Sequence, residues 1–183
     1  ARIPGVAAVY PITPKSYDNS YAVPLQGAPQ GWEGNGDLGQ DTTVAVLDTG
    51  IDYTHANFGG PGTVEAYDAE HAHADDPTLW DDSIFPTDKV IGGYDLVGDA
   101  YNADPQSDTY DPVPVPDPNP LDCEGHGSHV AGSAAGYGEN ADGSTYDGSY
   151  DTGTPFDSMR IGPGMAPQAK VYAIKVFGCD GST

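Results

Sequence analysis

The chain has 183 residues, enough for one domain, and carries 28 acidic against 6 basic side chains for a formal charge of −22. That balance argues against nucleic acid or an anionic membrane surface as partner, since both need a basic face, and fits the solvated acidic shell of an extracellular protein. No stretch approaches the ~20 apolar residues of a membrane span, and Ala1–Tyr10 lacks the apolar core of a signal peptide.

In chain order, Val6–Tyr10 reads as a short apolar strand between two prolines. Pro14–Asp41 is rich in Gly, Pro and Asn and lacks periodicity, which predicts loop, with Trp32 anchoring it on the domain. Thr43–Leu47 is a continuous, β-branched apolar run ending at Asp48-Thr49-Gly50, the pattern of a parallel strand buried on both faces. Val90–Val97 reads as a second strand despite its two glycines, and Lys170–Phe177 as a third. Between them, Gly125-His126-Gly127-Ser128-His129-Val130-Ala131-Gly132 is too small-sided for an ordinary amphipathic helix. It suits a helix that begins at His126 and threads a crowded interior, where small side chains permit close backbone approach. Two long irregular insertions are expected, at 95–122, with seven Asp and six Pro, and at 137–164. Strand, crossover, strand, helix, strand is the order of an α/β fold with a doubly wound, mostly parallel sheet and helices on both faces.

An Asp at a strand's carboxyl end and a His at a helix start both sit where open α/β sheets bind ligands. Asp48 accepting a hydrogen bond from one imidazole nitrogen of His126 would fix its tautomer, leaving the other nitrogen to deprotonate a hydroxyl nucleophile. Each half alone has an ordinary structural explanation, a turn for Asp-Thr-Gly and a satisfied core residue for His. The eight-residue context of His126 sets it apart.

With those residues in view, the chain resembles the subtilisin-like serine proteases, or subtilases (peptidase family S8), specifically the N-terminal part of their catalytic domain. Val44–Asp52 matches the family's catalytic-aspartate motif at Asp48, and His126 falls on its catalytic histidine. Gly164-Met-Ala-Pro-Gln-Ala-Lys-Val-Tyr-Ala-Ile-Lys-Val-Phe177 matches the next block, a Gly-x-Ala-Pro turn and a core strand. Ser128 stands where Thr is commoner, and Ala56 where Pro is frequent. The likeness implies a secreted endopeptidase acting on proteins or peptides through an Asp-His-Ser triad, with no cofactor for catalysis. It also implies structural roles for Asp52, His55 and His129, and a disulfide between Cys123 and Cys179. Closing a loop of about 57 residues, that bridge is worth roughly 4 kcal/mol. A metal cluster of Cys123, His126 and His129 is the rival reading of the cysteines, short of one ligand and in need of His126 elsewhere. Ile3–Ile12 is similar to the last strand of a subtilase propeptide, so residues 1–20 are expected to be a propeptide remnant or an extension descended from one. Residues 21–183 then form the N-terminal part of the catalytic domain.

The resemblance also implies a nucleophilic serine and an oxyanion asparagine, and no serine here has such a context. The chain by itself is therefore expected to be inactive, its sheet incomplete, with the remainder of the catalytic domain supplied by downstream sequence or a second chain. Two rivals remain: an inert subtilase-like scaffold that binds peptides or an inhibitor, and a dimeric aspartic protease built on Asp48, which would leave the His126 segment unexplained. The acidic loops could supply oxygen ligands for structural calcium, although no spacing matches a defined calcium loop.

Overall fold

The computed structural model describes residues 19–74 and 83–181. The expected Val6–Tyr10 strand lies outside them, as does the propeptide-like segment up to residue 18. Helices α1 (Asn19–Leu25) and α2 (Ala28–Asn35) precede strand β1 (Thr43–Asp48) and helix α3 (Val64–His71). Strand β2 (Val90–Asp95), helix α4 (His126–Ala135), the short strands β3 (Glu139–Asn140) and β4 (Met159–Ile161), and strand β5 (Lys170–Lys175) follow.

The principal sheet is parallel, in the order β1-β5-β2, so β5 is the central strand among the described residues. Its register aligns Val46 with Ala173 and Asp48 with Lys175, and Tyr94 and Asp95 pair with Ile174 and Lys175 on the other side. The α/β class and parallel sheet agree with the sequence reading, and α4 packs on β1 and β5. Ala131 and Ala135 of α4 are fully buried against Val46, Val171 and Ala173, so the small side chains let the helix lie close to the sheet.

β1 departs from expectation. Rather than being buried on both faces it alternates, with Val46 inward while Leu47 is 61% exposed. Tyr172 of β5 and Tyr94 of β2 lie outward in the same way, at 38% and 41% exposure. An unbroken apolar run carries no period, so the sequence could not say which face the helices cover.

The segment 14–41, expected to be loop, contains two short helices. Val23, Ala28 and Trp32 bury together and collect Tyr150 and Phe156 from the second insertion, with the Trp32 and Phe156 rings stacked at 6.3 Å. Pro29 sits in the first turn of α2, where a fixed φ and a missing N–H cost nothing, and Gly36 ends the helix at φ 71°. Helices of seven and eight residues are too short to show a period, and a tertiary cluster formed them. The 137–164 insertion is likewise more regular than expected, because β3 and β4 pair antiparallel within it. The 95–122 excursion remains irregular but is tied back to itself by Asp95–Asp117 and Asn102–Asp111 bridges.

The Gly164-Met165-Ala166 turn has a definite task. Its three N–H groups donate to the carbonyls of Gly136, Ser133 and Ala134 at 2.9–3.0 Å, satisfying acceptors that the end of α4 leaves open. Trp32 Nε1 donates to Met165 O at 2.9 Å, which fastens α2 to the same turn.

Two lysines are buried at opposite ends of β5. Lys175 Nζ bonds Asp99 Oδ1, lies 3.2 Å from Asp95 Oδ2 and donates to Leu121 O, joining the carboxyl ends of β5 and β2 to the segment ahead of α4. Among the described residues Lys89 has no carboxylate partner. Its Nζ donates to Pro167 O and Ala169 O, both at 2.7 Å, and lies 3.9 Å from the centre of the Tyr137 ring. Desolvation lowers its pKa from 10.5 to about 8. The unfolded chain holds that proton more tightly than the folded one, so stability from this group rises with pH between about 8 and 10.5. We expect Lys89→Met to lose ~2 kcal/mol at pH 8 through its stranded carbonyls. In thermal melts, the gap between wild type and variant should widen from pH 8 towards pH 10.

Candidate active site

β1 delivers Asp48 and α4 begins at His126, both at the carboxyl ends of the parallel strands, where open α/β sheets place their chemistry. His126 Nδ1 lies 2.7 Å from Asp48 Oδ1, and the same oxygen accepts from Thr49 N at 2.8 Å. An ionised carboxylate accepts only, so it selects the tautomer with the proton on Nδ1 and leaves Nε2 as a base. The hydrogen bond to Asp48, followed by that residue's charge, raises the His126 pKa above its ordinary value. The imidazole is 64% exposed and the carboxylate 14%, so the pair stands on an open rim.

The pair is held by a residue that the sequence reading passed over. Asp122 is buried, and its Oδ1 accepts from Thr49 Oγ1 (2.8 Å), Glu124 N (3.0 Å) and Gly125 N (2.9 Å). Its Oδ2 accepts from Ser128 N (2.9 Å) and Ser128 Oγ (2.6 Å). Gly125 stands at the N-cap of α4 with no side chain to offer, and Asp122 does the capping from three residues upstream. Ser128 Oγ also accepts from Asp52 N at 2.8 Å, and Thr49 Oγ1 accepts from Gly127 N at 2.8 Å. The turn after Asp48 and the first turn of the His126 helix are thus bonded to one carboxylate. An acid just ahead of a Gly-rich helix start was the available signal.

Gly127 permits the approach. A Cβ there would lie 2.1 Å from Gly50 O, which is backbone and has nowhere to go.

The other expected residues fall as follows. Asp52 Oδ1 accepts from Thr54 N and Oγ1, and burial raises its pKa. His55 Nδ1 caps a short 3-10 turn by accepting from Asn57 N at 3.0 Å, and its Nε2 is 3.6 Å from buried Glu139. His129 faces a cavity of about 350 Å³ that it lines with His55, Asn57, Ser128 and Arg160 and that includes neither Asp48 nor His126. Cys123 and Cys179 form the expected disulfide. The rival Cys123–His126–His129 cluster is not assembled, since Cys123 is bonded to Cys179 and His126 is turned to Asp48. No helix among the described residues is long and apolar enough to cross a membrane.

The profile of the subtilase family matches residues 39–183. The chain belongs to that family. Subtilases are serine proteases, which sets the enzyme class at the level of the family. The chain is also similar to the thermophilic serine proteinase of Bacillus sp. (strain AK1), with 28% identity over 147 residues. That match covers 80% of this chain but only 20% of the relative, so the chain spans about a fifth of the curated subtilase it matches.

Two substitutions test how this subtilase site is held. Asp122→Asn should destabilise the chain by about 3 kcal/mol. Followed by NMR titration, the His126 pKa should fall towards that of an Asp48→Asn control, because the helix start is no longer registered on the Thr49 turn. Gly127→Ala should cost about 3 kcal/mol in denaturant melts, whereas the same change at Gly31 inside α2, where the backbone is helical and a Cβ meets no atom within 4 Å, should cost nothing.

Proposed function

We propose that this chain supplies the acid and base of a secreted serine endopeptidase, with His126 as general base and Asp48 as the carboxylate that orients it. The 2.7 Å contact between Asp48 Oδ1 and His126 Nδ1, with the rest of the ring open to solvent, carries the reading. Nε2 would take the proton from a serine hydroxyl as its oxygen attacks the scissile carbonyl, and then give it to the leaving amine. Asp48 stabilises the imidazolium in between. No serine hydroxyl among the described residues bonds His126: Ser128 is committed to Asp122 and Ser133 to Asn19. The nucleophile and the oxyanion donor would come from other parts of the gene product or from a second chain. The substrate would be a protein or peptide. The Cys123–Cys179 disulfide and the charge of −22 support an extracellular setting.

Fluorophosphonate labelling of the native gene product, with peptide mapping of the adduct, tests this directly. Such a probe captures a serine activated by a base. Label on one serine outside these 183 residues, lost in both Asp48→Asn and His126→Ala, is the expected result. A folded protein that takes no label, or whose label survives His126→Ala, would put the inert scaffold in its place.

A further inference from the structure

Beside the Asp48–His126 pair lies a second group of reactive side chains that the proteolytic reading does not use. His71 at the end of α3, Asp99 after β2, Cys123 ahead of α4 and Cys179 after β5 each present one ligand atom, and all four atoms lie within 4.8 Å of one another. With the disulfide closed, the two sulfurs carry no charge to offer a cation. Opened to thiols, they complete a set of two sulfurs, one nitrogen and one oxygen. The geometry points to a redox-gated metal site: the dithiol form of this chain binds one zinc-like divalent ion through Cys123, Cys179, His71 and Asp99, and the disulfide form excludes it.

Spacing supports this. Ligand atoms around a tetrahedral zinc sit roughly 3.3 Å apart for nitrogen and oxygen, and somewhat further apart for sulfur. His71 Nε2 and Asp99 Oδ2 are 3.5 Å apart, and all four ligand atoms lie within 4.8 Å of one another; Cys123 Sγ also lies 3.6 Å from the other Asp99 oxygen, Oδ1. The Cα atoms of the two cysteines are 5.0 Å apart, so separating the sulfurs asks for side-chain rotation more than backbone travel. The supporting contacts also fit. Lys175 Nζ occupies Asp99 Oδ1, which leaves Oδ2 for the ion, and at 3.5 Å from Cys123 Sγ its positive charge favours a thiolate. The His71 ring stacks on Tyr67 at 5.5 Å, which fixes its plane. Thiolate and imidazole donors select zinc-type ions over calcium or magnesium.

The chemistry balances with a dithiol reductant. It gives two electrons and two protons to the Cys123–Cys179 bond and leaves as its own disulfide; the ion then displaces two thiol protons to solvent. Exchange with an oxidising disulfide reverses both steps and ejects the metal. The covalent bond and the ion tie the same segments, so one link would replace the other next to Asp122.

Anaerobic titration with Co²⁺ of the 183-residue chain, before and after reduction by a phosphine, tests the proposal. The reduced chain should take up one equivalent, with thiolate-to-cobalt charge transfer and the ligand-field bands of a tetrahedral site, and Zn²⁺ should bleach both. The unreduced chain should show neither. His71→Ala, at an exposed position, should weaken binding at least about ten-fold, and Cys123→Ser should abolish the charge-transfer band. If reduction unfolds the chain, one equivalent of Zn²⁺ should restore its circular dichroism. No charge-transfer band in a folded reduced chain, no recovery of an unfolded one, or an affinity unchanged by His71→Ala would each overturn the proposal.

Discussion

The carboxylate of Asp122 is the joint on which the candidate site turns. Two oxygens receive five donors from two parts of the chain that are 75 to 79 positions apart in sequence, Thr49 after β1 and Glu124 to Ser128 at the head of α4. Neither part could hold the other by packing alone, because glycine dominates where they touch. Gly50 and Gly127 bring backbone against backbone, and that contact has no side-chain area to bury. Directional bonds to a buried charge replace it. A buried carboxylate is costly unless its lone pairs are satisfied, and satisfying them here fixes the separation of Asp48 and His126 as a by-product.

The fold supplies the second half of that rigidity from the other end of α4. The helix starts against Asp122 and finishes against the Gly164–Ala166 turn, whose N–H groups take up its last carbonyls. That turn leads directly into β5, the middle strand of the sheet. The helix is therefore clamped at both ends by segments that also set the sheet, and Lys175 ties the carboxyl edge of β5 and β2 to the residues preceding the helix. The pairings of β5 with β1 and β2 join residues 127 and 81 positions apart (Thr43 with Lys170, Val90 with Val171), so each carries a large loop-closure cost that its contacts must offset.

What the sequence could convey followed from how local each signal was. The three strands, the helix from His126 and the Asp48–His126 pairing were legible because each rests on a continuous run or a motif with its own mechanism. The Cys123–Cys179 bond was legible only through family likeness, since spacing alone does not fix a partner. α1 and α2 were not legible: they owe their existence to Trp32 meeting Tyr150 and Phe156, more than a hundred residues away. The alternation of β1 was hidden for a related reason, because Leu47 is as apolar as Val46 whether or not a helix covers it. Asp122 went unseen among seven aspartates in one acidic insertion, where composition suggested solvation and only the fold singles out the two that are buried, Asp95 and Asp122.

The fate of the lysines changes the meaning of the net charge. The chain has six basic residues in all, and Lys89 and Lys175 are sealed inside at 1% and 0% exposure. The surface is thus poorer in cations than the composition suggests, and 28 carboxylates cannot each find a cationic side chain among six bases. Mobile ions must stand in. Dilute buffer leaves repulsion among the carboxylates working against the compact state, while added electrolyte shortens its reach to a few ångströms. Ionic strength becomes, in effect, a structural component of this protein's exterior.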